Sequence, residues 1–295
     1  MPVRKIIKKK SPTPSASKKK TIEKLELCLP TERNVPSEDF EDYSMLLYGF
    51  TKIGKTSLIS HFPDTLNFMF EPGSKALKTF QVNIPTWDYF REYIDLLEKG
   101  NHSFKRVCID TGGIAYDRCL EYVCRINGIQ HPGGQDDYGA SWNKIITEFE
   151  RQHARLFGMG LGVIVIAHER ILEIETRSGD KFNKIMPNFG KQAGTYYSGI
   201  FDDIFFYDYE GKERYLHVRG SDYIDAGTRC EDNFFTPEGE RIDRIPMGNS
   251  SAESYANLRI AFNNEQKNPH KRKEIAEEEE SETKPTVKKI IKKRK

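Results

Sequence analysis

Gly49-Phe50-Thr51-Lys52-Ile53-Gly54-Lys55-Thr56 reads as G-x-x-x-x-G-K-T, and its two flanks give that string a structural setting. Before it, Ser44-Met45-Leu46-Leu47-Tyr48 is a short apolar stretch fit for a buried strand. After it, Thr56-Ser57-Leu58-Ile59-Ser60-His61-Phe62 starts a helix. Two glycines let the backbone curl so that successive N–H groups point inward at the positive end of the helix dipole, where an anion is favoured. Residues Gly49 to Ser57 are therefore expected to cradle the phosphates of a nucleotide such as ATP. Lys55 is expected to extend its ammonium to the β- and γ-phosphates, and Thr56 to offer a hydroxyl to Mg²⁺.

Totals narrow the setting further. The chain has 295 residues, enough for one sizeable α/β domain with appendages. No apolar run approaches the roughly 20 residues that cross a bilayer, and the lysine-rich start has no apolar signal core behind it. A membrane protein and a secreted one are both disfavoured, and a cytoplasmic location is expected. Cys28, Cys108, Cys119, Cys124 and Cys230 are odd in number and lack paired C-x-x-C spacing. Neither a disulfide framework nor a zinc ribbon is indicated, and Cys119 and Cys124 are expected to pack one helix face.

A net charge of +2 hides a segregated distribution. Eight basic residues and no acid occupy positions 1–20, and seven basic residues and no acid occupy 284–295, so the middle of the chain is acidic. Part of that acid is Glu274 and the run Glu277 to Glu282, directly before the basic end. Neither end carries enough apolar surface to fold alone, and both are expected to be disordered. The organisation expected is a basic arm over 1–36, an α/β core over 37–230, an extension of the core over 231–263, and an acidic-then-basic tail over 264–295. Arg4-Lys5-Ile6-Ile7-Lys8-Lys9-Lys10 and Lys288-Lys289-Ile290-Ile291-Lys292-Lys293-Arg294 form a near-repeat that suits a polyanion held through its phosphates.

Apolar runs recur at Leu66 to Phe70, Val107 to Ile109, Leu161 to Ala167 and Ile204 to Tyr207. Helix-like stretches lie between them at Tyr89 to Glu98, Asp117 to Ile126 and Ser141 to Phe157. Such alternation implies a mainly parallel sheet sandwiched by helices. Hairpins are expected at Ile171 to Ile185, projecting from a core strand, and at Asp203 to Arg219.

Three strand ends then carry polar groups. Val107-Cys108-Ile109-Asp110 is an apolar run closed by a carboxylate, the Walker B pattern in which Asp110 reaches the metal. Phe68-Met69-Phe70-Glu71 repeats it, and Glu71 is expected to orient and deprotonate the attacking water. Val163 to His168 presents an imidazole that would sense the γ-phosphate. Lys191 and Arg229 are candidates for cationic fingers reaching a neighbouring subunit's nucleotide.

In this order the parts resemble the RecA-type recombinase core. More narrowly, Tyr48-Gly49, Glu71-Pro72-Gly73, Tyr138-Gly139-Ala140-Ser141-Trp142 and Ile166-Ala167-His168-Glu169 resemble the phage-encoded RecA-like P-loop ATPases, AAA-type nucleotide-binding proteins linked to single-strand annealing recombination. The resemblance covers roughly Tyr43 to Arg229. It implies an oligomer that hydrolyses ATP with Mg²⁺ in a host cytoplasm and acts on single-stranded DNA in phage recombination or replication, alongside phage or host proteins. It also implies DNA contact from 128–141 and from 170–190, the latter with Arg170, Arg177, Lys181, Phe182 and Lys184. Two departures stand out: His168 occupies a position where RecA has glutamine, and the loop from Gly133 to Asp137 is acidic rather than basic. A non-catalytic nucleotide-dependent adaptor, and a helicase loader or packaging NTPase, are the alternatives.

Overall fold

All five residues of strand β1, Met45–Gly49, are buried, and the reason is that both faces of the strand are covered. In the computed structural model, which describes residues 29–134 and 137–266, β1 lies inside a ten-stranded sheet. Leu46 and Tyr48 point into one core, and Met45 and Leu47 into a second on the opposite side. This is the period of two that a strand imposes.

Element order follows the chain. After β1 come α1 (Lys55–Ile59), β2 (Thr65–Met69), β3 (Phe80–Asn83), α2 (Trp87–Glu98) and β4 (Arg106–Asp110). Then come α3 (Gly112–Asn127), α4 (Ala140–Gly158), β5 (Gly162–Glu175), β6 (Lys181–Pro187) and α5 (Lys191–Ile200). Finally there are β7 (Asp203–Glu210), β8 (Glu213–His217), β9 (Gly227–Thr228), β10 (Arg244–Pro246) and α6 (Ser251–Phe262). Along the sheet the strands run β10-β8-β7-β1-β5-β4-β2-β3. The six from β7 to β3 are parallel to their neighbours, while β8 and β10 extend the sheet antiparallel. The α/β architecture expected from the sequence is the one observed.

One core is packed by α2, α3, α4 and α5, through residues such as Trp87, Phe90, Tyr116, Phe149 and Tyr197. Cys119 and Cys124 are both buried on α3. Opposite, α1 and α6 cover the sheet with Leu58, Ile59, Leu258 and Phe262, joined by Phe40, Phe62 and Phe234. Positions 231–263 supply α6 and Phe234 to this second layer. Helix α6 begins with a capping box, in which the Ser250 hydroxyl accepts from Glu253 N and the Glu253 carboxylate accepts from Ser250 N.

The sequence places the end of a strand at His168, but the structure does not end it there. β5 continues to Glu175, leaves the main sheet and pairs with β6 from Glu169↔Pro187 to Glu175↔Lys181. The projecting hairpin is thus an unbroken extension of a core strand, which lets backbone hydrogen bonding continue beyond the helical layers.

The chain divides into two units, 1–36 and 37–295. Of the first, residues 29–36 are exposed and carry neither helix nor strand. The basic segments 1–20 and 284–295, the glutamate run before the second of these, and Gln135-Asp136 of the acidic loop lie outside the described residues. Among the described residues no helix is long and apolar enough to cross a membrane.

Candidate nucleotide-binding site

Parallel pairing carries the polar ends of several strands to one edge of the sheet. Register aligns Gly49 with His168 and with Tyr207, Asp110 with Met69, and Asp110 with Ile166. Residues remote in sequence, from Gly49 to His168, therefore converge where β1, β2 and β4 end and where β5 leaves the main sheet.

At the centre is the glycine loop. A Cβ on Gly49 would stand 2.0 Å from Tyr207 O on β7, so only glycine lets the chain leave the sheet here. Gly54 caps α1 at φ +111°, a conformation open to glycine and strained for other residues. Ile53 is buried and pins the loop from beneath, while Phe50, Thr51 and Lys52 face solvent. The interior is occupied by the loop's own lysine, since Lys55 Nζ donates to Gly49 O and Phe50 O, each at 2.8 Å. Burial pushes its pKa down to about 8, against the opposing pull of Asp110, Glu169 and Glu71. Desolvation outweighs three nearby carboxylates, which leaves the ammonium short of anionic partners.

Thr56 Oγ1 donates to Asp110 Oδ2 at 2.7 Å. Asp110 is buried at the end of β4, and that burial raises its pKa, partly offset by the Thr56 bond and raised again by the charge of Glu71. A hydroxyl and a carboxylate at this spacing offer two oxygens to a hard divalent cation. Among the described residues no group of three His, Cys, Asp or Glu side chains forms a metal site of its own. That donor set suits Mg²⁺, which keeps several waters and takes its remaining ligands from phosphates.

Glu71 sits next to this pair. Its backbone N, with that of Phe70, donates to Asp110 O, at 3.2 and 2.7 Å. Thr111, joined to Asp110 by a cis peptide bond, donates its hydroxyl to Glu71 Oε1 at 2.7 Å. His168 Nε2 lies 3.4 Å from the same oxygen, and the other imidazole nitrogen lies 3.4 Å from Thr51 Oγ1. Thus Glu71, His168 and the loop form one connected set. Beyond Glu71 opens a cleft of about 840 Å³ whose lining includes Thr111, Trp142, His168, Asn188 and Lys191.

Of the residues singled out in the sequence, Lys55, Thr56, Asp110, Glu71 and His168 meet here, and Lys191 borders the cleft at the start of α5. Arg229 does not join them. It donates to Gly199 O and pairs with Asp202 at 3.6 Å, at the amino end of the parallel strands. Lys181 pairs with Glu173 and Lys184 with Asp225, both on or beside the β5–β6 hairpin, and Arg177 is exposed near its tip. Arg170 borders a separate pocket with Met186 and Asp225. Thr111 carries no local signal in the sequence, and Thr51, expected there as part of the phosphate cradle, gives no sign of its contact with His168. The partner of Thr111, Glu71, lies 40 positions away.

A phosphate loop running from β1 into α1, with Thr56 of α1 paired to Asp110 at the end of β4 and Glu71 just past β2, defines a P-loop NTPase fold. The profile of the AAA domain family matches residues 41–230. The chain belongs to that family. Over 166 residues it is 26% identical to the SPbeta prophage-derived uncharacterized protein YorG of Bacillus subtilis (strain 168), a match covering 54% of this chain and 49% of YorG. The chain thus spans about half the length of that relative. Among solved structures, the KaiC-like protein PH0186 of Pyrococcus horikoshii OT3 is similar with a TM-score of 0.39 and 14% identity, over 70% of this chain and 86% of that one. The RadB recombinase is similar with a TM-score of 0.38 and 16% identity, over 63% and 84%.

Proposed function

We propose that the protein binds ATP on the Gly49–Ser57 loop and hydrolyses it, and that it acts as an oligomer on single-stranded DNA in phage recombination or replication. One observation carries the nucleotide part: Lys55 is buried among backbone carbonyls while its charge is disfavoured, beside Thr56 and Asp110. A polyphosphate entering the loop supplies what that ammonium lacks.

Each residue then has a task. Loop N–H groups and Lys55 hold the β- and γ-phosphates, which frees Gly49 O and Phe50 O from the lysine. Thr56 and Asp110 would hold Mg²⁺, which when bound neutralises charge on the phosphate oxygens. Glu71 accepts a proton from water through Oε2, because Oε1 is engaged by Thr111 and faces His168. His168 faces the Thr51 hydroxyl through its other nitrogen, so a change in the loop reaches Glu71 through the imidazole.

The DNA part rests on the hairpin that grows out of the His168 strand, with Arg170, Arg177, Lys181 and Lys184, and on the basic ends of the chain. Phosphates of a single strand would replace Glu173 and Asp225 as partners of the two lysines. Lys191 and Arg229 are proposed as cations offered to a neighbouring subunit. The prophage origin of the YorG relative supports the phage setting. Phosphate release by the purified protein, measured with and without oligonucleotides of DNA and of RNA, tests the reading. Turnover stimulated by single-stranded DNA is expected. Nucleotide binding without turnover in any condition would instead make the chain a nucleotide-dependent adaptor.

A further inference from the structure

One cation beside the phosphate loop stands apart from Lys55, Asp110 and Glu71. Arg214 lies on β8, two residues before Leu216 and therefore on the same face, the one that packs against α1. Its Nε and Nη2 both donate to Gly248 O, at 3.2 and 2.9 Å, and its own carbonyl accepts from Met247 N at 2.8 Å. The side chain is thus tethered at both ends. The third nitrogen, Nη1, has no hydrogen bond or ion pair among the described residues, and it would stand 3.4 Å from a Cβ built on Gly54. A half-buried guanidinium, held in place by one carbonyl, hangs beside the residue that caps α1.

Its side of the loop matters. In the sheet, β5, β4 and β2 lie on one flank of β1 and bring His168, Asp110 and Glu71, which mark where the γ-phosphate and its water belong. β7 and β8 lie on the other flank. A polyphosphate threaded across the start of α1, with its γ end toward Asp110, runs its α end toward β8.

We propose that Arg214 is a nucleotide-binding residue that contacts the α- and β-phosphate end of the bound nucleotide from the β7–β8 flank, opposite the flank that carries His168, Asp110 and Glu71. Guanidinium suits this task because its planar fork stays aligned while two nitrogens are committed to Gly248, and the remaining one bonds an anionic oxygen. The contact is present with a diphosphate as with a triphosphate, so it governs nucleotide retention after hydrolysis. This inference rests on nucleotide binding at residues 49–57.

Calorimetric titration with ADP and with a non-hydrolysable ATP analogue tests it, using the full chain and its Arg214→Gln, Arg214→Lys and Lys55→Ala variants. Gln retains length and a donor for Gly248 O while removing the charge. Arg214→Gln is expected to weaken both nucleotides by a similar factor of roughly 10 to 100, the worth of one charge-assisted bond, with the melting temperature of nucleotide-free protein unchanged. Arg214→Lys keeps the charge but not the fork, and is expected to lose affinity by a smaller factor than Arg214→Gln. Three results overturn the proposal: unchanged affinity in Arg214→Gln, a loss confined to the triphosphate analogue, or equal losses in the Gln and Lys variants together with lowered melting, which would make Arg214 a strut for Gly248. If Lys55→Ala binds as tightly as the parent, the loop reading itself has failed, a result separable from the other three.

Discussion

Thr111 and Glu71 come from different strand ends, and the threonine hydroxyl donates to Glu71 Oε1 at 2.7 Å. The bond fixes which carboxylate oxygen is spent on the protein and which is left for water. Thr111 is itself buried and stands at the N-cap of α3, so its hydroxyl is held by the packing of that helix against β5. The orientation of the proposed base is therefore tied to the core rather than to the Glu71-Pro72-Gly73 turn.

From that relationship, Glu71→Gln is expected to keep nucleotide affinity while ATP turnover falls about 10² to 10⁴ fold, the usual worth of a positioned base. Thr111→Val keeps the shape of the side chain and deletes the donor, so kcat should drop by a smaller factor, on the order of 10, with KM little changed. Steady-state phosphate release decides both. Full turnover in Glu71→Gln would reduce the residue to a member of its turn.

The nucleotide loop and its two carboxylate partners were legible in the sequence for a local reason: Gly49, Gly54, Lys55, Asp110 and Glu71 each stand in a short pattern that dictates their backbone. Alternating apolar runs likewise specified the parallel sheet. What the sequence concealed is set by distant contacts. Arg214 gains its meaning from Gly54 and Gly248, Thr111 from Glu71, and β3, with an exposed and partly polar pattern, is a strand only because β2 lies beside it. His153 makes the opposite case: it resembles a chemical residue, yet it is buried between Phe149 O and the Tyr197 hydroxyl, and burial pushes it down to about 4. It is a neutral core tether at physiological pH.

Lys55 ties nucleotide binding to pH. With its pKa lowered to about 8 in the free protein, the amine is partly neutral at pH 8 to 9. Phosphates favour the charged form, so binding in that range should take up protons, and affinity should fall as pH rises above 8. Titrations in buffers of different ionisation enthalpy read the uptake directly. The sign for the fold itself is separate: the unfolded chain keeps this proton up to about 10.4, so nucleotide-free protein gains stability between pH 8 and 10. Binding heats independent of buffer at pH 8.5 would contradict the burial of an uncompensated ammonium.

Asp203 lies at the other end of the sheet, almost fully buried where β7 begins. Burial raises its pKa to about 7, with Asp202's charge adding and Thr228 opposing. An unfolded aspartate titrates near 3.9. Between these values the folded chain holds a proton that the unfolded chain has lost, so stability falls as pH rises from about 4 to 7 and the cost persists above. Asp203→Asn should remove that slope and stabilise the protein at pH 8 by on the order of 2–4 kcal/mol. Urea unfolding at pH 5 and pH 8 makes the comparison, and a variant that is no more stable at pH 8 than the parent would contradict the raised value.

The basic ends, outside the described residues, are testable through salt. If positions 1–20 and 284–295 neutralise phosphates of single-stranded DNA, each contact contributes about −0.7 to the slope of log affinity against log salt. Removing both ends should weaken binding and flatten that slope, and the remaining slope belongs to the β5–β6 hairpin. There Lys181 and Lys184 must exchange Glu173 and Asp225 for phosphates, so each contributes less net affinity than an unpaired cation. Replacing Lys181 and Lys184 with alanine in the end-deleted chain should reduce the slope further. A slope that stays the same through both steps would place DNA contact elsewhere on the molecule, and with it the proposed coupling between the His168 strand and the hairpin that extends it.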